Sequence, residues 1–151
     1  MKKKVRAAKI PYTSSKDPIS ILRCVVRAIK EEPRRYNQDV MVARRGDSTL
    51  QLPAWQPALT VSLEKWPRCG IVACIAGWVC AVTNRRGSIP VKAWDVWDRA
   101  RMILGITDQD SDGLFCEGTV GGIPGTRSHV CAGINHINKF AKKKWGRYVS
   151  K

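Results

Sequence analysis

Residues 66–82 read WPRCGIVACIAGWVCAV, and from residue 71 to residue 82 every residue except Gly77 is apolar. At helical spacing, one face carries bulky side chains, Ile71, Ile75, Trp78 and Val82. The opposite face carries small ones, Ala73, Ala76, Gly77 and Cys80. A helix that is apolar on every side is buried on every side. The stretch therefore predicts a central core helix, and it is too short to span a membrane, which takes about 20 apolar residues.

Helix caps and breakers divide the rest of the chain, and we expect a mainly α fold. It is a compact single-domain bundle of about five helices around the central one. The other predicted helices are, in chain order, one from Asp17-Pro18 to Pro33, a short turn over residues 39–43, one over residues 89–104 followed by Gly105, one capped by Thr107 near residue 108, and one capped by Thr126. Alternating apolar residues allow one small β-hairpin within residues 45–65, formed by residues 49–52 and 59–63.

Positive charge is the most unusual property of the composition. The chain of 151 residues has 27 Lys and Arg against 12 Asp and Glu, a net charge of +15. Such an excess favours polyanionic partners, and nucleic acid is the first of them. The charge is concentrated at both ends, which divides the chain into a basic N-terminal arm (residues 1–16), a helical domain (residues 17–141) and a basic C-terminal tail (residues 142–151).

These two ends supply the candidate nucleic-acid contacts. Lys and Arg neutralise phosphates, and exposed aromatic rings such as Trp145 and Tyr148 stack on bases. The predicted binding residues are Lys2, Lys3, Lys4, Arg6, Lys142, Lys143, Lys144, Trp145 and Arg147. A separate anion contact is predicted at Gly125 and Arg127, where a glycine-rich loop enters a helix N-terminus.

Six cysteines are read as buried, reduced thiols, because no apolar signal segment follows the first lysines and most of the cysteines lie in apolar helical runs. We therefore expect no disulfide, metal or other cofactor. We also expect the protein to act in the cytoplasm of a bacterial cell.

Three alternatives stay open for the cysteines, histidines and acidic residues. A zinc site would use ligands drawn from Cys69, Cys74, Cys116, His129, Cys131 and His136. A calcium loop would begin with the D-x-D-x-D-G of residues 108–113, although it has Thr119 where glutamate is needed. A Cys-dependent hydrolase would use Cys69 with His129 or His136 as base.

Several short motifs occur together in one order. They are Pro33 with Tyr36-Asn37, Cys69-Gly70 with CIAGW at residues 74–78, LGIT at residues 104–107, Leu114-Phe115, and the helix after Thr126. Together they resemble a family of small bacterial and phage proteins with a Cys-Gly-Thr-x-x-Cys-Ile-Ala-Gly-Trp core motif. The resemblance covers roughly residues 18–141, and this chain differs by Ile71 in place of threonine, by residues 45–65 and by its basic ends. It implies a small, mostly helical, phage-encoded protein and implies no activity.

Two functions follow from charge and resemblance. The first is a non-enzymatic basic protein that binds nucleic acid, or a nucleoprotein complex, through phosphate contacts. The second is a phage counter-defence factor that inhibits a host defence protein or sequesters an anionic nucleotide signal. A membrane partner is not expected, and no helix-turn-helix, zinc-finger or RNA-binding aromatic motif indicates sequence specificity.

Overall fold

The chain folds as a mainly helical bundle. The computed structural model describes residues 10–36, 42–44, 60–62, 71–85, 88–90, 93–115, 120–123 and 126–150. In these residues the α-helices are α1 (Pro18–Glu31), α2 (Ile75–Val82), α3 (Ala93–Leu104), α4 (Asp108–Phe115) and α5 (Arg127–Trp145), with a 3₁₀ turn over Pro33–Arg35. Four three-residue strands accompany them: β1 (Val42–Arg44), β2 (Thr60–Ser62), β3 (Ile71–Ala73) and β4 (Ser88–Pro90).

α2 is the centre of the core, as its sequence predicts. All eight of its residues are buried, and it packs against α1, α3 and α4. Trp78, on its bulky face, is completely buried. None of the helices in the described segments is long and apolar enough to cross a bilayer.

The central helix is shorter than predicted, because Ile71–Ala73 form strand β3 instead of its first turn. This strand pairs antiparallel with β1, and Val72 lies opposite Ala43. β-branched residues such as Ile71 and Val72 pack well in a strand, and a partner strand satisfies their backbone groups. Cys74, in an extended conformation, then begins α2 as its N-cap. The predicted helical turn over residues 39–43 is also wrong where the structure describes it, since Val42 and Ala43 belong to β1.

The second strand pair corrects two further expectations. A strand is predicted within residues 59–63 and occurs over Thr60–Ser62, but it pairs antiparallel with β4. Its predicted hairpin partner, residues 49–52, lies outside the described residues. Because Ser88–Pro90 is used in this pairing, α3 begins at Ala93 and not at residue 89. Gly105 follows α3 as predicted, with a φ of 62° that favours glycine.

The predicted helix starts at Asp17, Thr107 and Thr126 are confirmed. The Asp17 carboxylate accepts hydrogen bonds from the backbone and side chain of Ser20, at 2.9 and 2.7 Å. Thr107 and Asp110 form a reciprocal capping box, in which the Asp110 amide donates to the Thr107 hydroxyl and that hydroxyl donates to the Asp110 carboxylate. The D-x-D-x-D-G segment is therefore the beginning of α4 and not a metal-binding loop.

Candidate nucleic-acid interface

The last two turns of α5 carry the most concentrated exposed positive charge in the described part of the chain. α5 contains no acidic residue, and it continues past residue 141, the predicted end of the helical domain, to Trp145. Lys139, Lys142 and Lys143 are all exposed. Residues spaced three or four apart lie on the same face of a helix, so these three ammonium groups share one surface.

The chain then turns back onto the helix. Gly146 ends α5 with a φ of 67°, in the left-handed region. Val149 is buried, with 3% of its surface exposed. The side-chain oxygen of Asn138 accepts hydrogen bonds from the amides of Val149 and Ser150, both at 3.0 Å. Residues 147–150 therefore pack on the domain, and their backbone has a defined position.

The same segment contacts α1. Arg23, exposed on α1, donates from Nε to the carbonyl oxygen of Val149 at 3.1 Å. Arg147 lies 3.6 Å from the carboxylate of Asp17, the N-cap of α1. The start of α1 and the end of α5 are therefore neighbours, although they are far apart in the sequence. We call this region the basic surface and define it as Arg23, Lys139, Lys142, Lys143, Arg147 and Tyr148.

Lys144 has a different role from its neighbours. Its ammonium lies 2.6 Å from the carboxylate of Asp110, and its side chain is 34% exposed. The Lys144 ammonium, followed by the Thr107 hydroxyl, lowers the pKa of Asp110 from 3.8 to about 2. This ion pair joins α5 to the capping box of α4. Lys144 is thus held mainly by the fold, whereas Lys139 and Lys143 form no ion pair with any described residue.

The two aromatic residues predicted to stack on bases differ in accessibility. Trp145 is half-buried and packs edge-on against Phe140, with ring centroids 5.6 Å apart. Tyr148 is 56% exposed. The ammonium of Lys142 lies over the Tyr148 ring, 5.0 Å from its centroid, and it also donates to the carbonyl of Gly146 at 3.2 Å. Of the two, Tyr148 is the accessible ring.

The other residues predicted to contact nucleic acid or an anion are not seen at this surface. Lys2, Lys3, Lys4, Arg6 and Gly125 lie outside the described residues. Arg127 is exposed at the opposite end of α5. It is 16 residues from Lys143, which at 1.5 Å per residue corresponds to about 24 Å along the helix. The predicted anion contact at Arg127 and the basic surface are therefore separate places.

The glycine-rich loop before α5 has a structural function in its described part. Gly122 has a φ of 95° and lies directly against the backbone of His129, where a side chain would not fit. His129 is fully buried. Its Nδ1 lies 3.0 Å from the carbonyl oxygen of Gly121, and its ring packs against that of Tyr36 at a centroid distance of 4.9 Å. His129 thus fixes the loop to the core.

Cys74 and Cys80 are buried and Cys24 and His136 are partly buried, but Cys131 is exposed, so the prediction of a buried thiol is wrong for Cys131. Cys24, Cys74, Cys80 and Cys131 are free thiols, and burial raises the pKa of Cys80 to about 12, which makes this thiol a poor nucleophile. His136 Nε2 donates to the carbonyl of Leu114 at 3.3 Å. No group of three possible metal ligands occurs among the described residues. The other zinc candidates, Cys69 and Cys116, lie outside them.

Two cations of the basic surface are absent from the residues predicted to bind. Arg23 belongs to an exposed basic stripe on α1 with Arg27 and Lys30, at spacings of four and three residues. Lys139 lies one turn before Lys143. Helical spacing of basic residues would have indicated both. By contrast, no sequence signal marks Asn138, because its partners are 11 and 12 residues later in the chain.

Comparisons with protein-family models, with curated proteins and with solved structures gave no match. The resemblance to the family with the Cys-Gly-Thr-x-x-Cys-Ile-Ala-Gly-Trp motif therefore stays a prediction. Function has to be inferred from the geometry of the basic surface.

Proposed function

We propose that this is a non-enzymatic protein that binds nucleic acid, free or within a nucleoprotein complex, through phosphate contacts at the basic surface. The observation that supports the proposal is the convergence of Lys139, Lys142 and Lys143, on one face of a helix without acidic residues, with Arg23 and Arg147 from neighbouring segments. Each cation that reaches a phosphate releases a condensed counterion, which makes binding favourable at low salt.

The stability of the helix accounts for only part of this charge. Cations in the last turn of a helix interact favourably with its dipole, by about 0.3–1 kcal/mol each. That effect covers Lys142, Lys143 and Lys144, which lie in the last turn. It does not cover Arg23, which is on another helix, or Lys139, which is one turn earlier. A net charge of +15 also adds self-repulsion to the folded state. Binding to a polyanion would neutralise part of this excess charge and reduce the repulsion.

Two carboxylates among the described residues of this region limit which cations are available. Asp110 is paired with Lys144, and Asp17 is 3.6 Å from Arg147 and caps α1. Arg147 is 56% exposed, so its guanidinium can also reach a phosphate. Lys139 and Lys143 form no ion pair with a described residue, so neither has to break one before it binds a phosphate. We therefore expect these two lysines and Lys142 to provide most of the affinity.

A charge-matched comparison tests the proposal. Fluorescence anisotropy at low salt is measured with labelled DNA and RNA oligonucleotides, single-stranded and duplex. The test variant replaces Lys139, Lys142 and Lys143 with Gln. The control replaces three other exposed residues, Arg34, Arg85 and Arg99, with Gln, so that both variants lose three positive charges.

We expect the wild-type protein to bind and the test variant to lose affinity by about tenfold or more, with a much smaller loss in the control. An equal loss in both variants would show that net charge acts without a defined surface. Absence of wild-type binding to every oligonucleotide would contradict the proposal and leave the counter-defence hypothesis.

A further inference from the structure

The most accessible aromatic ring of the basic surface lies among its cations. Tyr148 is 56% exposed, and the Lys142 ammonium lies over its ring, 5.0 Å from the centroid. Its chain neighbour Arg147 is also exposed. A planar group that stacks on this ring would therefore have positive charge beside it, which suits a base attached to a phosphate backbone.

The backbone on both sides of Tyr148 is held in place before any ligand arrives. The next residue, Val149, is buried and donates its amide hydrogen to Asn138, while its carbonyl accepts from Arg23. Gly146, two residues before the ring, ends α5 in a left-handed conformation. Ordering the Tyr148 backbone therefore adds little to the entropic cost of stacking, since the segment is already fixed on both sides.

We infer that the basic surface selects single-stranded nucleic acid, with an unpaired base stacked on Tyr148. The inference rests on the proposed function and specifies its substrate class. In a duplex the base faces are stacked on one another and only the base edges are exposed in the grooves. In a single strand each base has a free π-face, and aromatic side chains with adjacent cations are the usual way of binding it.

Half-buried Trp145 is not the stacking residue in this account. Its ring packs against Phe140 and the core, so that replacing it would disturb the end of α5. Tyr148 has no comparable burial, and its replacement should leave folding intact. This difference makes Tyr148 the residue to test.

The test compares Tyr148→Ala, Tyr148→Phe and Tyr12→Ala. Tyr12 is a matched control, because it is also an exposed tyrosine, at 44%, with a cation beside its ring: Arg85 lies 6.0 Å from the centroid. Affinity is measured for one oligonucleotide sequence, as a single strand and as a duplex, at one low salt concentration. Circular dichroism melting verifies that each variant folds.

We expect Tyr148→Ala to weaken single-strand binding by about tenfold and duplex binding by less than about twofold. Tyr148→Phe keeps the ring and should bind like the wild type, as should Tyr12→Ala. Equal losses for single strand and duplex, or no loss for either, would overturn the inference and leave phosphate binding intact. If the wild-type protein binds neither form, the proposed function itself is overturned.

Discussion

Asn138 holds Val149 in place, with its side-chain Oδ1 3.0 Å from the Val149 amide nitrogen. The same oxygen accepts from Ser150, and the Asn138 amide donates to the Ser150 hydroxyl at 3.1 Å. These three hydrogen bonds join a helix to a segment that has no regular secondary structure. They are the reason that the end of the basic surface has a fixed shape.

Asn138→Ala should release this segment. We expect faster hydrogen exchange at the amides of Val149 and Ser150, and a loss of unfolding free energy of about 1–3 kcal/mol, since buried partners lose their hydrogen bonds. Asn135→Ala is the control, because Asn135 is exposed on the same helix. Unchanged exchange at both amides in Asn138→Ala would show that Asn138 does not hold the segment.

Gly133 allows Tyr36 to pack against α5. A side chain built at Gly133 would overlap the ring and hydroxyl of Tyr36, which is fully buried. Gly133→Ala should therefore reduce the free energy of unfolding by about 1–3 kcal/mol. Gly113→Ala, in α4, is the control: no atom lies near its added methyl group, so higher helix propensity should leave it neutral or stabilise it by up to about 1 kcal/mol. Urea unfolding measures the free energy of unfolding of both variants. Equal changes in the two would contradict close packing of Tyr36 against Gly133.

The ion pair between Lys144 and Asp110 can be detected by measuring the pKa of the Asp110 carboxylate. Lys144 is the largest cause of the low Asp110 pKa of about 2. Replacing Lys144 with Gln should raise that pKa towards 3.8, whereas the same change at Lys143 should leave it low. An NMR titration of the side-chain carboxyl carbons would show the difference. The carboxylate contributes stability above pH 3.8, and this contribution is lost as the pH falls towards 2. A low pKa in Lys144→Gln would assign the effect to Thr107 alone.

His136 should make stability depend on pH near neutrality. Burial lowers the pKa of His136 below 6.5, although the carbonyls of Leu114 and Gly113 oppose the shift. The unfolded chain then binds a proton more readily than the folded protein, so stability is complete above pH 6.5 and decreases as the pH falls below it. Urea unfolding at pH 7.5 and 5.5 should show a smaller decrease in His136→Gln than in the wild type. An identical decrease in both proteins would exclude His136 as its source.

Local features of the fold were predictable from the sequence. The caps at Asp17, Thr107 and Thr126 depend on hydrogen bonds within three residues, so the sequence contains all that decides them. The boundary at Cys74 was not predictable in this way. An apolar run fits a strand or a helix equally well, and the choice for Ile71–Ala73 depends on β1, about thirty residues earlier in the chain.

The candidate site was predictable in composition but not in geometry. The lysines at residues 142–144 stand out in the sequence, and a terminal basic run is usually read as a flexible tail. In the structure they are helical, and Lys144 is used in an ion pair with Asp110. The contacts of Arg23 and Arg147 with segments more than a hundred residues away define the surface. Such contacts depend on how the helices pack, which no local pattern reveals.

The salt dependence of single-strand binding tests the central claim most directly. Each phosphate neutralised on a single strand contributes about −0.7 to the slope of log affinity against log salt concentration. Replacing Lys139, Lys142 and Lys143 with Gln should therefore make the slope shallower by about 2, while the control variant of Arg34, Arg85 and Arg99 should keep the wild-type slope. A wild-type slope near zero, or the same slope in all three proteins, would contradict phosphate binding at this surface.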